Sequence, residues 1–186
     1  DKFYQADRTI GTQMKATGEV MSIDRTFEAA IMKAVRSLEI GLHWLRLKNA
    51  DDLTDADIEQ KVRVATDERL FVVAEALRRN WTIERIAELS NIDAWFLYKL
   101  ANIVRMEREL AGRAAEIKAL TSGRIASEPG ALDLLKRAKS MRFPDKIISL
   151  LTGANESQLR WLHKKLKMLP IYKMVDTCAA EFEAET

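Results

Sequence analysis

The longest uninterrupted helical pattern of the chain is SNIDAWFLYKLANIVRMERELAG, residues 90–112. Its first four residues are typical of a capped helix start, and no proline or glycine interrupts the pattern before Gly112. Apolar residues recur along it at helical spacing, namely Trp95, Phe96, Leu100, Ile103, Val104, Met106 and Leu110. The stretch therefore predicts a long amphipathic helix with its apolar stripe in a core.

Similar patterns precede this stretch. The apolar residues from Phe27 to Leu38 fall on one stripe and predict a helix over 27–40, with Gly41 just past its end. Residues 42–53 are less regular and indicate a connection. Helix starts are predicted at the N-cap residues Thr26, Thr54 (with Asp57 in a weak capping box), Thr66 and Thr82.

Helical signals also continue after the stretch. Residues 121–130 form a turn cluster, and Pro129 and Pro144 each suit the first turn of a following helix. Asn155 with Gln158 predicts a capping box for a last helix that runs to about Met168. Residues 27–168 carry no strand pattern, so we expect an all-α fold. It is an irregular multi-helix bundle of about seven helices, with less regular N- and C-terminal extensions at 1–24 and 171–186.

Composition sets limits on the class of protein. The 186 residues are 47% hydrophobic and 31% charged, with a net charge of +2, which is ordinary for a protein with a packed core. Seven glycines and three prolines favour helices over a turn-rich β fold. No apolar run is long enough to span a membrane, and no secretory leader is present. The first residue is Asp1, which suggests a fragment.

The residue types that usually carry chemistry are scattered. His43 and His163 stand in no metal-ligand spacing, and Cys178 has no neighbouring histidine to activate it. The acidic pairs at 51–52 and 55–57 flank a helix N-terminus, where the helix dipole explains them. Glycine-rich phosphate loops are absent. We therefore expect no catalytic, cofactor-binding or metal-binding residue in this chain.

Two segments share the order short helix, tight turn, longer helix: 82–100 and 144–167. This order is typical of helix-turn-helix units. Residues 131–173 hold ten Lys or Arg against three acids, a net of +7, which is the electrostatic footprint of nucleic-acid binding. The more economical interpretation is a helical hairpin whose basic face matches an acidic patch on a partner.

Specific strings near both ends carry a resemblance. They are MKATGEVM at 14–21, RTFEAA at 25–30, KAVRSLE at 33–39, DER at 67–69, NIDAWFL at 91–97 and YKMVDTCAAEF at 172–182. In these strings the chain resembles the central part of the carbamoyl-phosphate synthetase large subunit. The match is closest at the ends and looser between about 112 and 160. Asp24 departs from it, because the family has glycine there.

The resemblance implies a division of the chain. Residues 1–41 close the first, carboxyphosphate-forming ATP-grasp unit; residues 42–170 are the helical oligomerisation domain; and residues 171–186 lead into the second, carbamoyl-phosphate-forming ATP-grasp unit. It implies a cytoplasmic parent ligase that makes carbamoyl phosphate from glutamine-derived ammonia, bicarbonate and two ATP, with Mg or Mn. Its product feeds pyrimidine and arginine biosynthesis.

The same resemblance implies the partners: further large-subunit copies, the flanking ATP-grasp domains and a glutaminase small subunit. We expect the fragment itself to be inactive and to bind no ATP tightly, because the family's nucleotide and metal residues lie outside it. Its four tryptophans suit either a core or an interface. The interface candidates are Leu42, Trp44, Leu45, Leu47, Trp161 and Leu162.

Overall fold

The structure is a computed structural model that describes residues 7–15, 19–123 and 129–175. Within these residues the chain is all-helical, as predicted, with a 3₁₀ turn at Ala50–Asp52 and one isolated antiparallel bridge between Thr9 and Thr66. Its α-helices are α1 (Phe27–Ser37), α2 (Asp55–Arg63), α3 (Arg69–Arg78), α4 (Ile83–Ser90), α5 (Ala94–Gly112), α6 (Ala114–Thr121), α7 (Pro129–Ser140), α8 (Asp145–Thr152) and α9 (Glu156–Lys165).

Most predicted helix starts are confirmed by hydrogen bonds at the N-cap. The side chains of Thr26, Thr82 and Asn155 each accept from a backbone N–H in the first turn. Thr54 and Asp57 form the predicted capping box in both directions. The prediction for Thr66 is wrong. Glu68 precedes α3 without a side-chain cap, because Thr66 pairs with Thr9 and turns the chain through its carbonyl oxygen instead.

Several predicted boundaries need correction. The first helix ends at Ser37, not at residue 40, since Glu39 adopts a left-handed backbone with φ of 56°. The last helix ends at Lys165, because Lys167 is also left-handed, with φ of 54°. Pro129 opens α7 as predicted, whereas Pro144 lies just before α8 and caps it. Part of the predicted turn cluster, 124–128, lies outside the described residues.

The core is organised around α5. This helix packs against α1, α3 and α4 on the N-terminal side of the sequence and against α7 and α8 on the C-terminal side. Leu97, Ile103 and Leu110 are fully buried along it. One continuous apolar cluster results, which explains why a chain of short helices folds as a unit. Among the described residues, no helix is both long and apolar enough to cross a lipid bilayer.

Two parts of the bundle repeat the same local structure. Two residues after the last residue of α3 and of α7 stands a left-handed residue, Asn80 and Arg142 respectively, and an aromatic residue follows it. The N–H of that aromatic residue bonds back to the helix at 3.0 Å, from Trp81 to Ala76 and from Phe143 to Ala138. This is the Schellman arrangement in both cases. Each of these two turns leads the chain into the pair of helices that follows, α4–α5 or α8–α9.

The hairpins themselves correspond residue by residue, at the same spacing in sequence as the Schellman turns. We call α4–α5 the first hairpin and α8–α9 the second hairpin. Their first helices end in left-handed residues, Asn91 and Gly153, with φ of 55° and 67°. Leu97 and Leu159 occupy equivalent positions, and both are fully buried. The two segments predicted as helix-turn-helix units therefore do share one backbone design.

Candidate interaction surfaces

Three aromatic side chains form an exposed cluster where α1 and α5 begin. Phe27 is the first residue of α1, and Trp95 and Phe96 lie in the first turn of α5. The ring centroids are 5.6 Å apart for Phe27 and Trp95, 5.5 Å for Phe27 and Phe96, and 5.0 Å for Trp95 and Phe96. We call this cluster the aromatic face. Trp95 remains 52% exposed and Phe96 44% exposed, so the face presents a large apolar area to solvent.

Charges around the aromatic face are compensated. Lys99 lies 5.2 Å from the Trp95 ring centroid and 3.7 Å from the carboxylate of Glu28. Asn102 donates to the same carboxylate at 2.7 Å. Asp93 uses its side chain to cap α5 through the Trp95 N–H. The surface is therefore close to neutral and offers aromatic contacts rather than charge.

The predicted interface residues separate into two groups. Trp44, Leu45 and Leu162 belong to the core, and the latter two are fully buried. These three side chains face the core of the bundle, and a contact role for them stays a prediction. Leu42 and Leu47 are partly buried against the same core, while Trp161 is 53% exposed.

A buried arginine explains why the connection after α1 packs inward. Arg78 donates to both carboxylate oxygens of Glu107 at 2.8 Å and to the Leu45 carbonyl oxygen at 2.8 Å. Its guanidinium also lies 5.1 Å from the Trp44 ring centroid. These contacts hold Trp44 and Leu45 against α3 and α5. An irregular sequence pattern gave no sign of this, because the partner residues are distant in sequence.

Trp161 stands in a different electrostatic setting. It lies on α9, whose last turn carries His163, Lys164 and Lys165. The Lys165 ammonium group is 4.8 Å from the Trp161 ring centroid. The side of the molecule around Trp161 is thus basic, in contrast to the neutral aromatic face.

The second hairpin is held by a buried polar group. The Nδ1 atom of His163 lies 3.0 Å from a carboxylate oxygen of Asp145, and Lys139 donates to that oxygen at 2.9 Å. Burial by itself would raise the pKa of Asp145, but His163 and Lys139 outweigh it and lower this pKa to about 2. The group therefore has a structural explanation: it ties the ends of α7 and α9 to the start of α8.

The histidines, Asp24 and the possible metal-ligand residues have defined surroundings in the part of the chain that the structure describes. No group of three or more His, Cys, Asp or Glu residues there is arranged to hold a metal ion. His43 meets the Lys146 ammonium group at 3.1 Å. Asp24, the departure from the family, pairs with Arg142 at 2.6 Å and so links the segment before α1 to the end of α7. Cys178 lies outside the described residues.

The fold and the surface together define the class of protein. An all-helical bundle whose main surface features are an aromatic face and a basic side is a helical interaction module. Comparison with known proteins then identifies the module. Residues 19–167 match the family described as the oligomerisation domain of the carbamoyl-phosphate synthetase large chain. The chain belongs to this family.

Relatives support the same assignment over the whole chain. Proteins named carbamoyl phosphate synthase large chain from Thermoanaerobacter sp. (strain X514), Thermoanaerobacter pseudethanolicus and Caldanaerobacter subterraneus subsp. tengcongensis are each 50% identical over 186 residues. The match covers 100% of this chain and 16% of each relative, so the chain spans about a sixth of their length. None of these findings supports the alternative of nucleic-acid binding.

Sequence reasoning missed the aromatic face. It placed Trp95 and Phe96 on the buried stripe, although both are exposed. The usable signal was angular: Trp95 precedes the buried Leu97 by two positions, which at 3.6 residues per turn puts it on the far side of the helix. Phe96 lies on the same side of α5 as the buried Ile103, but it is in the first turn of the helix and remains exposed. The contribution of Phe27 from α1 had no sequence signal at all.

Proposed function

We propose that this module joins copies of the large chain by self-association through the aromatic face. The observation that supports it is the cluster of Phe27, Trp95 and Phe96, whose rings make edge-to-face and tilted contacts at a half-exposed surface. Buried aromatic side chains account for roughly 150–250 Å² each, and a specific interface needs about 800 Å² per partner. Trp95 and Phe96 are only about half exposed and Phe27 is partly buried, so the face supplies part of that area and the residues around it complete the contact. Trp is also enriched among the residues that dominate binding energy.

Charge favours the aromatic face over the Trp161 side for contact between identical copies. A two-fold interface places the same patch on both partners. At the aromatic face, Lys99 is already paired with Glu28, so two copies meet without net repulsion. At α9, the exposed cations Lys164 and Lys165 would face their counterparts in the second copy, which costs free energy when they are brought within a Debye length.

Leu42, Leu47 and Trp161 remain proposed contact residues on a separate surface. The basic charge of α9 near Trp161 suits an acidic partner surface. Within the large chain, the flanking ATP-grasp domains are the nearest source of such a surface. The glutaminase small subunit is a further partner of the parent enzyme in this proposal.

For the parent protein we propose the reaction that the resemblance implies. It is a cytoplasmic ligase that forms carbamoyl phosphate from glutamine-derived ammonia, bicarbonate and two ATP, with Mg or Mn bound to the nucleotides. Pyrimidine and arginine biosynthesis use the product. In this scheme residues 1–41 end the first ATP-grasp unit, residues 42–170 are the oligomerisation domain, and residues 171–186 lead into the second unit.

The test compares two tryptophans of nearly equal exposure. Trp95→Ser introduces serine because Ser157 stands at the equivalent position of the second hairpin. Trp161→Lys introduces lysine because Lys99 stands at the equivalent position of the first hairpin. We expect the molar mass from light scattering to rise with concentration for the unchanged chain. Trp95→Ser should weaken this association by about thirtyfold, as removal of a central aromatic contact does.

Trp161→Lys is the matched control, and we expect it to change the association constant by no more than about twofold. A chain that stays monomeric at the highest concentration would contradict self-association by this module alone. Equal weakening by both substitutions would contradict the aromatic face as its location. Circular dichroism confirms in each case that the helical fold is unchanged.

A further inference from the structure

A concave basic surface lies beside the second hairpin, away from the aromatic face. It is a cavity of about 590 Å³ between the end of α1, the turn from α7 to α8, the start of α9 and residues 168–170. We call it the basic basin. Its cationic lining consists of Arg36, Lys136, Lys139, Arg142, Lys146 and Arg160, against the two acids Asp145 and Glu156.

Ion pairing does not consume all of this charge. Three cations have carboxylate partners: Lys139 with Asp145 at 2.9 Å, Arg160 with Glu156 at 3.0 Å, and Arg142 with Asp24 at 2.6 Å. The remaining three, Arg36, Lys136 and Lys146, have no carboxylate within ion-pair distance among residues 7–15, 19–123 and 129–175. Within the described residues the basin therefore holds an excess of positive charge.

Arg36 is a partly buried cation of the basin that lies next to a second cation. Its side chain is half-buried in the last turn of α1, and it donates to the carbonyl oxygen of Arg142 at 2.7 Å. Desolvation, together with the neighbouring guanidinium of Arg142, lowers the pKa of Arg36. A desolvated cation next to a like charge is unfavourable unless an anion compensates it. The planar guanidinium still has donors suited to an oxyanion.

We propose that the basic basin binds a small phosphorylated anion, whose phosphoryl oxygens accept hydrogen bonds from Arg36, Lys136 and Lys146. The volume falls within the range of small-molecule sites, roughly 300–1,000 Å³. The charge lines a cavity rather than an extended convex stripe, which fits a compact ligand better than a nucleic-acid duplex. The basin shares no lining residue with the aromatic face, so this proposal does not rest on self-association through that face.

The experiment uses inorganic pyrophosphate and inorganic phosphate as probes, titrated into the 186-residue chain and followed by calorimetry. Sodium chloride at the same ionic strength is the reference. We expect saturable binding at one site per chain, tighter for pyrophosphate because it carries more charge. Lys136→Met should weaken pyrophosphate binding by about tenfold, and Lys136→Arg should retain it within about threefold.

Lys118→Met is the matched control. Both lysines are exposed on helices, but Lys118 does not line the basin. We expect its substitution to leave pyrophosphate affinity within about twofold. Arg36→Met provides a second variant and should abolish measurable binding. Non-saturable heats that sodium chloride reproduces, or equal losses from Lys118→Met and Lys136→Met, would overturn the proposal.

Discussion

The two hairpins of this molecule have the same backbone design and different surfaces. Each exposes one tryptophan to almost the same degree, 52% for Trp95 and 53% for Trp161, and each tryptophan has a lysine four residues later near its ring. In the first hairpin the surroundings are aromatic and neutral, whereas in the second they are basic. The comparison teaches that equivalent buried positions accompany the same turn, while the exposed positions around that turn vary independently.

The interior polar contacts of the two hairpins also differ. The first uses Arg78 and Glu107, and the second uses Asp145 with Lys139 and His163. Neither set has a counterpart at the equivalent positions of the other half: Ser140 at the end of α7 corresponds to Arg78 at the end of α3, and Ile83 of α4 corresponds to Asp145 of α8. Substitutions at these sites therefore separate what is shared from what is specific.

The largest effect is expected from Arg78→Met. It leaves the carboxylate of Glu107, which is 5% exposed, buried without its bidentate partner. We expect a loss of about 3–5 kcal/mol in the free energy of unfolding, measured with urea. Arg137→Met, which removes an exposed pair with Glu109, is the control and should cost at most about 1 kcal/mol. Equal costs would mean that the first hairpin does not depend on its buried ion pair.

Leu97→Ala and Leu159→Ala test whether the hairpins are one folding unit. The two leucines are equivalent and fully buried, so each substitution should cost about 2–5 kcal/mol. Because α5 packs against helices from both halves, we expect a single cooperative transition in each variant, seen alike by circular dichroism and tryptophan fluorescence. Two separate transitions would show that the hairpins unfold as independent domains.

A smaller, pH-dependent effect is expected at Asp145. Its pKa is lowered to about 2 in the folded state from an ordinary value of 3.8, because His163 and Lys139 outweigh the effect of burial. A lowered pKa means that the unfolded state binds the proton first. The stabilisation of about 2 kcal/mol is therefore present above about pH 4 and is lost as the pH falls toward 2. Asp145→Asn should remove this part of the pH dependence in urea titrations between pH 5 and pH 2, and an unchanged profile would contradict it.

The smallest effects should come from the two hairpin turns. Gly153→Ala forces a side chain onto a left-handed backbone with φ of 67°, and we expect a cost of about 1 kcal/mol. The added Cβ would lie 2.9 Å from the Lys118 Nζ, which is the movable end of a side chain and adds little. Asn91→Gly, at the equivalent turn, should stay within about 0.5 kcal/mol in thermal unfolding. A larger loss of stability from Asn91→Gly than from Gly153→Ala would mean that the two turns are not equivalent.

Sequence reasoning predicted the fold well for physical reasons that are local. Capping residues such as Thr26 and Thr82 act within one turn, and apolar spacing reports burial directly. Where prediction failed, a distant contact decided the outcome. Thr66 does not cap α3, because it pairs with Thr9. The left-handed backbone of Glu39 ends α1 before the predicted residue 40.

The surfaces were less predictable than the fold. Trp44 and Leu45 sit in an irregular stretch that gives no periodicity to interpret, and their burial depends on Arg78 from a later helix. The sequence named both Trp161 and Leu162 as interface candidates, and in the structure Trp161 is exposed whereas Leu162 lies in the core. Family resemblance supplied the oligomerisation role, but it named no surface residue. Exposure had to come from the packed structure.

Helix α1 connects the two surfaces described above. Phe27 at its first position belongs to the aromatic face, and Arg36 in its last turn belongs to the basic basin, roughly 13 Å away along one rigid element. Thermodynamic linkage is reciprocal. Any factor by which an anion in the basin tightens association of two copies is the factor by which the associated form binds that anion more tightly. The concentration of the bound anion would then change the degree of association, and association would change anion binding, through the eleven residues of α1.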